Sequence, residues 1–501
     1  QQLDLLDEAN NSLFAAEFHK RRLGIQRAMA TEENRLYGMK RADGKRGGPM
    51  PVYNKRAELN RVLREGDAVI VTAGTGCGKS TQVPQYLADD LRSLVASKEG
   101  SSGDPDRSFR VCCTQPRRLA AQSIAQRVAQ EYGTEVGKLV GFRVGNRGSE
   151  KTASSKQISR ETVIEFATEG LLLHQLSRSP DSIANYDCII IDEAHERNKE
   201  TDLLLTICRN HLRKSDRKPL KVVVMSASID PSRFCAYFDN CATVDCPGKN
   251  FPVEEIYLPI EVASSPGENH SGSFDNLVEH AVEVLFEEIV GKRAEEKGDV
   301  LIFLAGAKPI SECVQSIKSR AMDEGLDDRV VAYPLYASMP EEDKDHAKDP
   351  EHRTGLVICC TNIAETSLTI DGVCFVLDGG TSKQLSYNHD LRCSALREER
   401  ISQASAKQRR GRAGRTRPGV CFYLYSKDTH ENVMPDYDQP QILRVSVDSL
   451  VLYALHVQGC SIEDLGLLDC PTEAHIAAAK QRLLDLRMVQ LKEENFVLSR
   501  L

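Results

Sequence analysis

No run of apolar residues in this chain approaches a membrane span, and no signal peptide opens it. No excess of basic charge marks it either. The formal net charge is -8 at pH 7, so any site for a polyanion has to be a local patch. No C-x-x-C pair occurs among the 16 cysteines. Cys235, Cys241 and Cys246 lie close together, but their spacing fits no usual zinc knuckle. Cys112, Cys113, Cys359 and Cys360 sit in apolar, strand-like runs, so the thiols read as buried and free, in a reducing, intracellular compartment. The chain opens on Gln1 rather than Met, as a fragment would. Its 501 residues, 41% hydrophobic and 28% charged, have the composition of an ordinary globular protein of roughly two to four domains.

What is present is organised around Ala73-Gly74-Thr75-Gly76-Cys77-Gly78-Lys79-Ser80. An apolar run, Ala68 to Val71, precedes it and a helix opening at Thr81 follows. Strand, glycine loop and helix together are what a phosphate-binding loop requires. The glycines let successive N–H groups turn inward on phosphate oxygens, and the helix N-terminus adds partial positive charge. Lys79 is placed to reach the outer phosphates and the Ser80 hydroxyl to hold Mg²⁺. Ala73 stands where a first glycine is commoner.

A second apolar run, Cys188 to Ile191, ends in Asp192-Glu193-Ala194-His195. Two carboxylates at the tip of a buried strand suit one job each: Asp192 holds Mg²⁺ and Glu193 orients the attacking water. The competing reading is a strand-end cap or an ion pair with Arg197. A strand over Arg110 to Cys113 stops at Pro116 and is followed by Arg117 and Arg118, at the end where open parallel sheets place ligands. Here too a solvated turn or an internal ion pair competes. Lys221 to Met225 ends in Ser226-Ala227-Ser228, whose hydroxyls are within reach of the acidic motif. Thr168 is a candidate cap for a helix over Leu171 to Leu176.

Further strands are expected at Val300–Leu304, Val330–Ala332, Gly355–Cys360 and Val373–Leu377. This second half has no phosphate loop; it has instead Gln408-Arg409-Arg410-Gly411-Arg412-Ala413-Gly414-Arg415. Arginines spaced by small residues suit close packing against a phosphate, where they neutralise charge on a transferring phosphoryl group. Strands alternating with helices argue for an α/β fold of parallel sheets covered on both faces. Residues 1 to 30 read as helical, Arg41 to Pro51 as a basic linker that is either solvated or in contact with RNA, and Ser97–Ser108, Gly145–Lys156 and Ala263–Gly272 as loops.

The ordered set GTGCGKS, TQPRR, DEAH, SAS, TNIAETSLTI and QRRGRAGR resembles the DEAH-box/RNA helicase A group of superfamily 2 helicases, over residues from about 50 to 500. The resemblance implies two tandem RecA-like domains with ATP and Mg²⁺ in the cleft between them and single-stranded RNA across both. It implies phosphate contacts from Gly74, Thr75, Gly76, Cys77, Gly78, Lys79 and Thr81, and a metal held by Ser80 and Asp192. Glu193 would polarise water, with Gln408, Arg412, Arg415 and His195 completing the catalytic set. Arg127, Thr381 and Asp371 fall on the nucleotide side, with Arg127 stacking on the base. RNA would be gripped by Arg117, Arg118, Thr168 and Thr361, mostly at the backbone, so with low sequence specificity and DNA not excluded. A β-hairpin over Gly379 to about Arg400 would help separate strands. The third motif reads SAS where SAT is usual, Ala305 stands where Pro is common, and the Gly145-Asn146 region lacks an Arg-Phe pair.

The expected division is residues 1–50, a helix and linker; 51–247, the first RecA-like domain; 248–435, the second; and 436–501, a small winged-helix module. The ratchet-like helical domain and OB fold that follow in the family are not in this sequence. The expected function is ATP-driven 3′-to-5′ movement along RNA with duplex or ribonucleoprotein remodelling, with a protein activator or ribonucleoprotein complex as a candidate partner. The alternative is an RNA-stimulated ATPase that clamps RNA without processive unwinding; a pseudo-enzyme platform is opposed by the intact Lys79, Asp192, Glu193, Gln408, Arg412 and Arg415.

Overall fold

The structure is a computed structural model. It describes residues 50–74, 76–98, 109–145, 156–215, 218–248, 251–259, 276–296, 298–340, 356–366, 370, 372–388, 392–415, 417–492 and 495–498. The expected N-terminal helix, nearly all of the linker, and most of the three loops at 97–108, 145–156 and 263–272 lie outside these residues, as do Thr75 and Asp371.

Eight strands form the first sheet: β1 (Ala68–Ala73), β2 (Val111–Gln115), β3 (Val140–Arg143), β4 (Lys156–Gln157), β5 (Ile164–Thr168), β6 (Cys188–Ile191), β7 (Lys221–Ser226) and β8 (Ala242–Cys246). Their order is β4-β3-β5-β2-β6-β7-β1-β8, and every pair is parallel except β3 with β4. The central strands are mostly apolar because both faces are covered, with polar residues such as Thr72, Gln115 and Ser226 toward their carboxyl ends. Val69, Val71, Ile190 and Val223 enter one core, and Ile70, Ile189, Ile191 and Val224 enter the other.

The second sheet contains β9 (Val253–Tyr257), β10 (Asp299–Phe303), β11 (Val331–Leu335), β12 (Leu356–Cys360) and β13 (Val373–Asp378); after a hairpin of β14 (Thr381–Asn388) and β15 (Cys393–Arg400), it is completed by β16 (Gly419–Tyr423). The order is β11-β12-β10-β13-β16-β9, parallel throughout. β11 runs past the expected Ala332 through Pro334. A proline is tolerated there because β11 is an edge strand with one free side.

The C-terminal residues form a helix at Asp448–Tyr453, continued by a π turn at Ala454–Gln458, a helix at Glu473–Asp485, and an antiparallel hairpin of β17 (Val489–Lys492) and β18 (Asn495–Leu498). Leu203, from the first domain's helix Lys199–Leu212, packs into the core of this module with Ile442, Leu450, Ile476 and Leu483. All 16 cysteines are free and most are buried. Among the described residues no group of three or more His, Cys, Asp or Glu side chains is placed to hold a metal, and no helix is long and apolar enough to cross a membrane.

Candidate active site

Register brings the functional segments together. Thr72 of β1 lies beside Ser226 of β7, Val224 of β7 beside Ile191 of β6, and Ile191 beside Thr114 of β2. The phosphate loop, the acidic pair, the Ser226–Ser228 turn and Gln115 therefore emerge side by side at the carboxyl edge of one sheet.

Gly76 and Gly78 hold φ angles of 76° and 91°, which L side chains rarely adopt. A Cβ on Gly78 would also collide with Met50, which lies over the loop. Ala73 causes no conflict: it is the last residue of β1, buried and paired with Cys246. Lys79 opens the helix Lys79–Lys98, and its Nζ lies 3.0 Å from Glu193 Oε1. Burial alone would lower the lysine's pKa, but Glu193 and Asp192 outweigh it and raise the pKa above its ordinary value.

Asp192 is completely buried at the tip of β6. Its Oδ2 accepts from Gln115 Nε2 at 2.7 Å and its Oδ1 from the backbone N–H of Glu193 at 2.9 Å. Burial and the adjacent Glu193 push its carboxyl up, opposed by Lys79 and by hydrogen bonds from Ser80 and Gln115. Glu193 shifts the other way. Burial pushes it up, but Lys79, His195 and Arg412 together hold it below the usual carboxylate range. Two carboxylates thus share one lysine, and Asp192 with the Ser80 hydroxyl forms an oxygen donor pair short of positive charge. That donor set fits a hard divalent cation.

The backbone bends sharply here. Glu193 has φ 53° and Arg197 φ 45°, both left-handed and both non-glycine. The short helical turn Ala194–Glu196 lies between them. His195 Nδ1 is 3.3 Å from Ser226 Oγ and 3.5 Å from Glu193 Oε2, while its Nε2 is buried without a hydrogen-bond partner. The Ser226–Ser228 hydroxyls do not reach the carboxylates as the sequence suggested. Ser226 meets His195 instead, and Ser228 accepts from Gln408 Nε2 across the cleft at 2.8 Å. Nor does Arg197 pair with Asp192 or Glu193; its partners are Asp202 and Asp469.

The second domain supplies the opposing wall from the helix Gln403–Arg410 and the turn after it. Its arginines divide. Arg409 is fully buried and donates to Glu365 at 3.2 Å, to Asp378 at 2.7 Å and to the Thr381 carbonyl at 3.2 Å, so it holds its own domain together. Arg410 pairs with Glu255. Arg412 is buried within electrostatic reach of Glu193; burial and the like charge of Arg415 pull its pKa down, with Glu365 and Glu193 opposing. Two cavities share the Gln408–Ser228 pair as a wall. One of about 300 Å³ opens on Gly74 and Gly411. The other, about 180 Å³, opens on Arg117, His195, Asn362, Lys383 and Arg444.

The remaining expected residues are spread around this centre. Arg127 is on the helix Arg118–Glu131, half exposed, with its Nε 2.7 Å from Glu131. Arg117 lies 3.6 Å from Glu196, and Arg118 is exposed. Thr168 is the N-cap of the helix Glu169–Arg178, but its hydroxyl makes no capping bond; β5 itself extends through this residue. Thr361, at the end of β12, is half-buried. Thr381 is not brought to the cleft. It is fully buried and its hydroxyl donates to Glu398 at 2.9 Å, so it presents no surface to a base. Sequence reasoning gave no role to Gln115 or to the Ser228–Gln408 contact. Gln115 as the final residue of a buried strand was the available signal; the contact between domains had none.

Residues 55–234 match the DEAD/DEAH box helicase family, and residues 280–417 match the helicase conserved C-terminal domain. Both matches carry the geometry just described. The chain belongs to the DEAH-box/RNA helicase A group of superfamily 2 helicases. It is 38% identical over 408 residues to a human protein described as "Probable ATP-dependent RNA helicase DHX34" and 37% identical over 407 residues to its mouse counterpart. Each alignment covers 81% of this chain and 32% of the relative, so the chain spans about a third of those proteins' length. The crystal structure of the Escherichia coli DEAH/RHA helicase HrpB superposes with a TM-score of 0.72 at 30% identity, covering 90% of this chain and 51% of that one. In this helicase-family chain the two parallel sheets are therefore the two RecA-like domains.

Proposed function

We propose that this chain is the motor core of an ATP-dependent RNA helicase that couples nucleoside triphosphate hydrolysis to 3′-to-5′ movement on single-stranded RNA. One observation carries the reading: Lys79 and Glu193 form a nearly buried pair that faces Gln408 and Arg412 from the other domain. The phosphate loop and Lys79 bind the triphosphate. As an anion arrives, Lys79 turns from Glu193 to the outer phosphates and Glu193 is left to accept a proton from water. Asp192 and Ser80 are the residues that would hold Mg²⁺, which when bound spreads the charge of the phosphate oxygens. Arg412 offers positive charge that burial and the neighbouring Arg415 make unfavourable until phosphate charge develops beside it, and Arg415 adds a second positive charge. Gln408 orients the water from the far wall. These are positioning and electrostatic roles, with no covalent intermediate.

RNA is proposed to run over Arg117, Arg118 and Thr168 on the first domain and Thr361 on the second, with Arg127 toward the nucleotide base. Support comes from the position of Arg117 and Asn362 in the smaller cavity, just behind the Gln408–Ser228 wall. Closure and opening of the cleft would change the spacing between the two grips.

ATPase rates with and without single-stranded RNA, with matched DNA and Glu193→Gln as controls, test the proposal. The expected outcome is RNA stimulation that is lost in Glu193→Gln while nucleotide binding is retained. Parent-like hydrolysis by that variant would overturn the role given to Glu193.

A further inference from the structure

The turn carrying Glu193 is held at its far end by Arg197, which no step above uses. Arg197 is buried, and its backbone sits in the left-handed region at φ 45°, a conformation that persists only where surrounding contacts determine it. Its guanidinium forms a fork on Asp202, with Nε to Oδ1 at 2.7 Å and Nη2 to Oδ2 at 3.0 Å. The same Nη2 donates to Asp469 of the C-terminal module at 2.5 Å. The Arg197 carbonyl accepts from the Gln441 N–H at 2.9 Å, and the Gln441 side-chain oxygen accepts from the Lys199 N–H at 2.9 Å. The acidic turn is thus fastened on one side to the first domain and on the other to residues 441 and 469.

We infer that Arg197 is a positioning residue that transmits docking of the C-terminal module to the catalytic turn, fixing the left-handed conformation in which Glu193 faces Lys79. The inference rests on the proposed hydrolytic role of Glu193 for its effect on rate, but not for its effect on the turn. Gln441 and Asp469 are the elements of the linkage outside the first domain, and Asp469 is the one that meets the Arg197 side chain; it is also shared with Arg233. Arg233 offers an internal control: it holds Asp469 by an ion pair and bears on Asp202, the fork partner of Arg197, only through its charge.

The experiment compares Arg197→Lys, Asp469→Asn and Arg233→Gln in the full chain. Two readouts are taken, both well below each variant's melting temperature: backbone amide exchange of residues 192–198 without nucleotide, and ATP kcat and KM. Arg197→Lys keeps charge but loses the fork. It is expected to speed exchange in the turn and to lower kcat about tenfold or more with KM within about twofold, as a small misplacement of a catalytic group does. Asp469→Asn should move both readouts the same way by a smaller factor, and Arg233→Gln should move neither. A purely structural role predicts lower melting temperatures with parent exchange in the turn and parent kcat, and that result overturns the inference. So does an effect of Arg197→Lys that Asp469→Asn does not share. If the parent chain hydrolyses no ATP, the proposed function fails, while the exchange of residues 192–198 still decides whether the linkage exists.

Discussion

Gln408 of the second domain donates its side-chain amide to the hydroxyl of Ser228 in the first, at 2.8 Å, while its own amide oxygen is buried without a partner. One bond thus closes the cleft behind the phosphate loop, and one acceptor is left pointing into it. Ser228→Ala removes the cross-cleft bond but leaves the acceptor. ATP turnover should fall by a factor of about 5 to 10, consistent with one neutral hydrogen bond, whereas Gln408→Ala should reduce it by at least about 100-fold. Steady-state kinetics on the two variants give the comparison, and equal losses would mean that the bond, not the acceptor, matters.

Lys79 and Glu193 form a nearly buried pair, so removing one partner strands the other. Lys79→Ala is expected to lose nucleotide binding and also to destabilise the ligand-free chain by about 3 kcal/mol. Lys79→Ala combined with Glu193→Gln should recover much of that stability without recovering binding. Denaturant melts of the single and double variants measure the coupling.

The two neighbouring arginines Arg409 and Arg412 should fail in opposite ways. Arg409 neutralises two buried carboxylates, Glu365 and Asp378. Arg409→Ala is expected to cost about 3–5 kcal/mol of stability. Arg412 is disfavoured in the folded state by burial and by Arg415. Arg412→Ala should therefore shift the melting temperature much less and abolish turnover. Loss of folding in Arg412→Ala would contradict this division.

A buried carboxyl gives the chain a pH signature. Burial pushes Glu169 up to about 8, reinforced by Glu196 and Glu200 and opposed by hydrogen bonds including that from Thr201 at 2.7 Å. The folded state keeps a proton that the unfolded chain releases around its ordinary value of 4.5. Between those two pH values the unfolded chain binds fewer protons, so this group's contribution to stability falls as pH rises and levels off above about 8. Glu169→Gln should flatten that part of the profile in urea melts at pH 5, 7 and 9. An unchanged slope would show that Glu169 ionises normally in the fold.

The strands that position the catalytic groups were legible because they are buried on both faces. Cys188–Ile191 and Ala68–Val71 are unbroken apolar runs that lead into functional segments. Two edge strands went unread: β8 and β9 carry Asp245, Glu254 and Glu255 on exposed positions, which breaks the apolar run that marks a buried strand. Within the site, local motifs single out Lys79 at the start of a helix, Asp192 and Glu193 at the end of a strand, and Gln408 on a short helix. Thr381 misled, since nothing in its neighbours reveals that Glu398, 17 residues on, takes its hydroxyl. Arg197 was legible as a charge but not as a link, because its partner Asp469 lies 272 residues away.

The order of strands in the first sheet has a consequence for how the protein is made. β1, which carries the phosphate loop, is flanked on its two sides by β7 and β8, which come more than 140 residues later. A chain leaving the ribosome must therefore release everything through Ser226 before the strand beneath Lys79 is paired on one side, and through Cys246 before it is paired on both. Until then its long-range partners do not exist, and such closure is slow. The seat of the phosphate loop is therefore built late in synthesis, and the apolar faces of β1 stay uncovered by β7 and β8 until then.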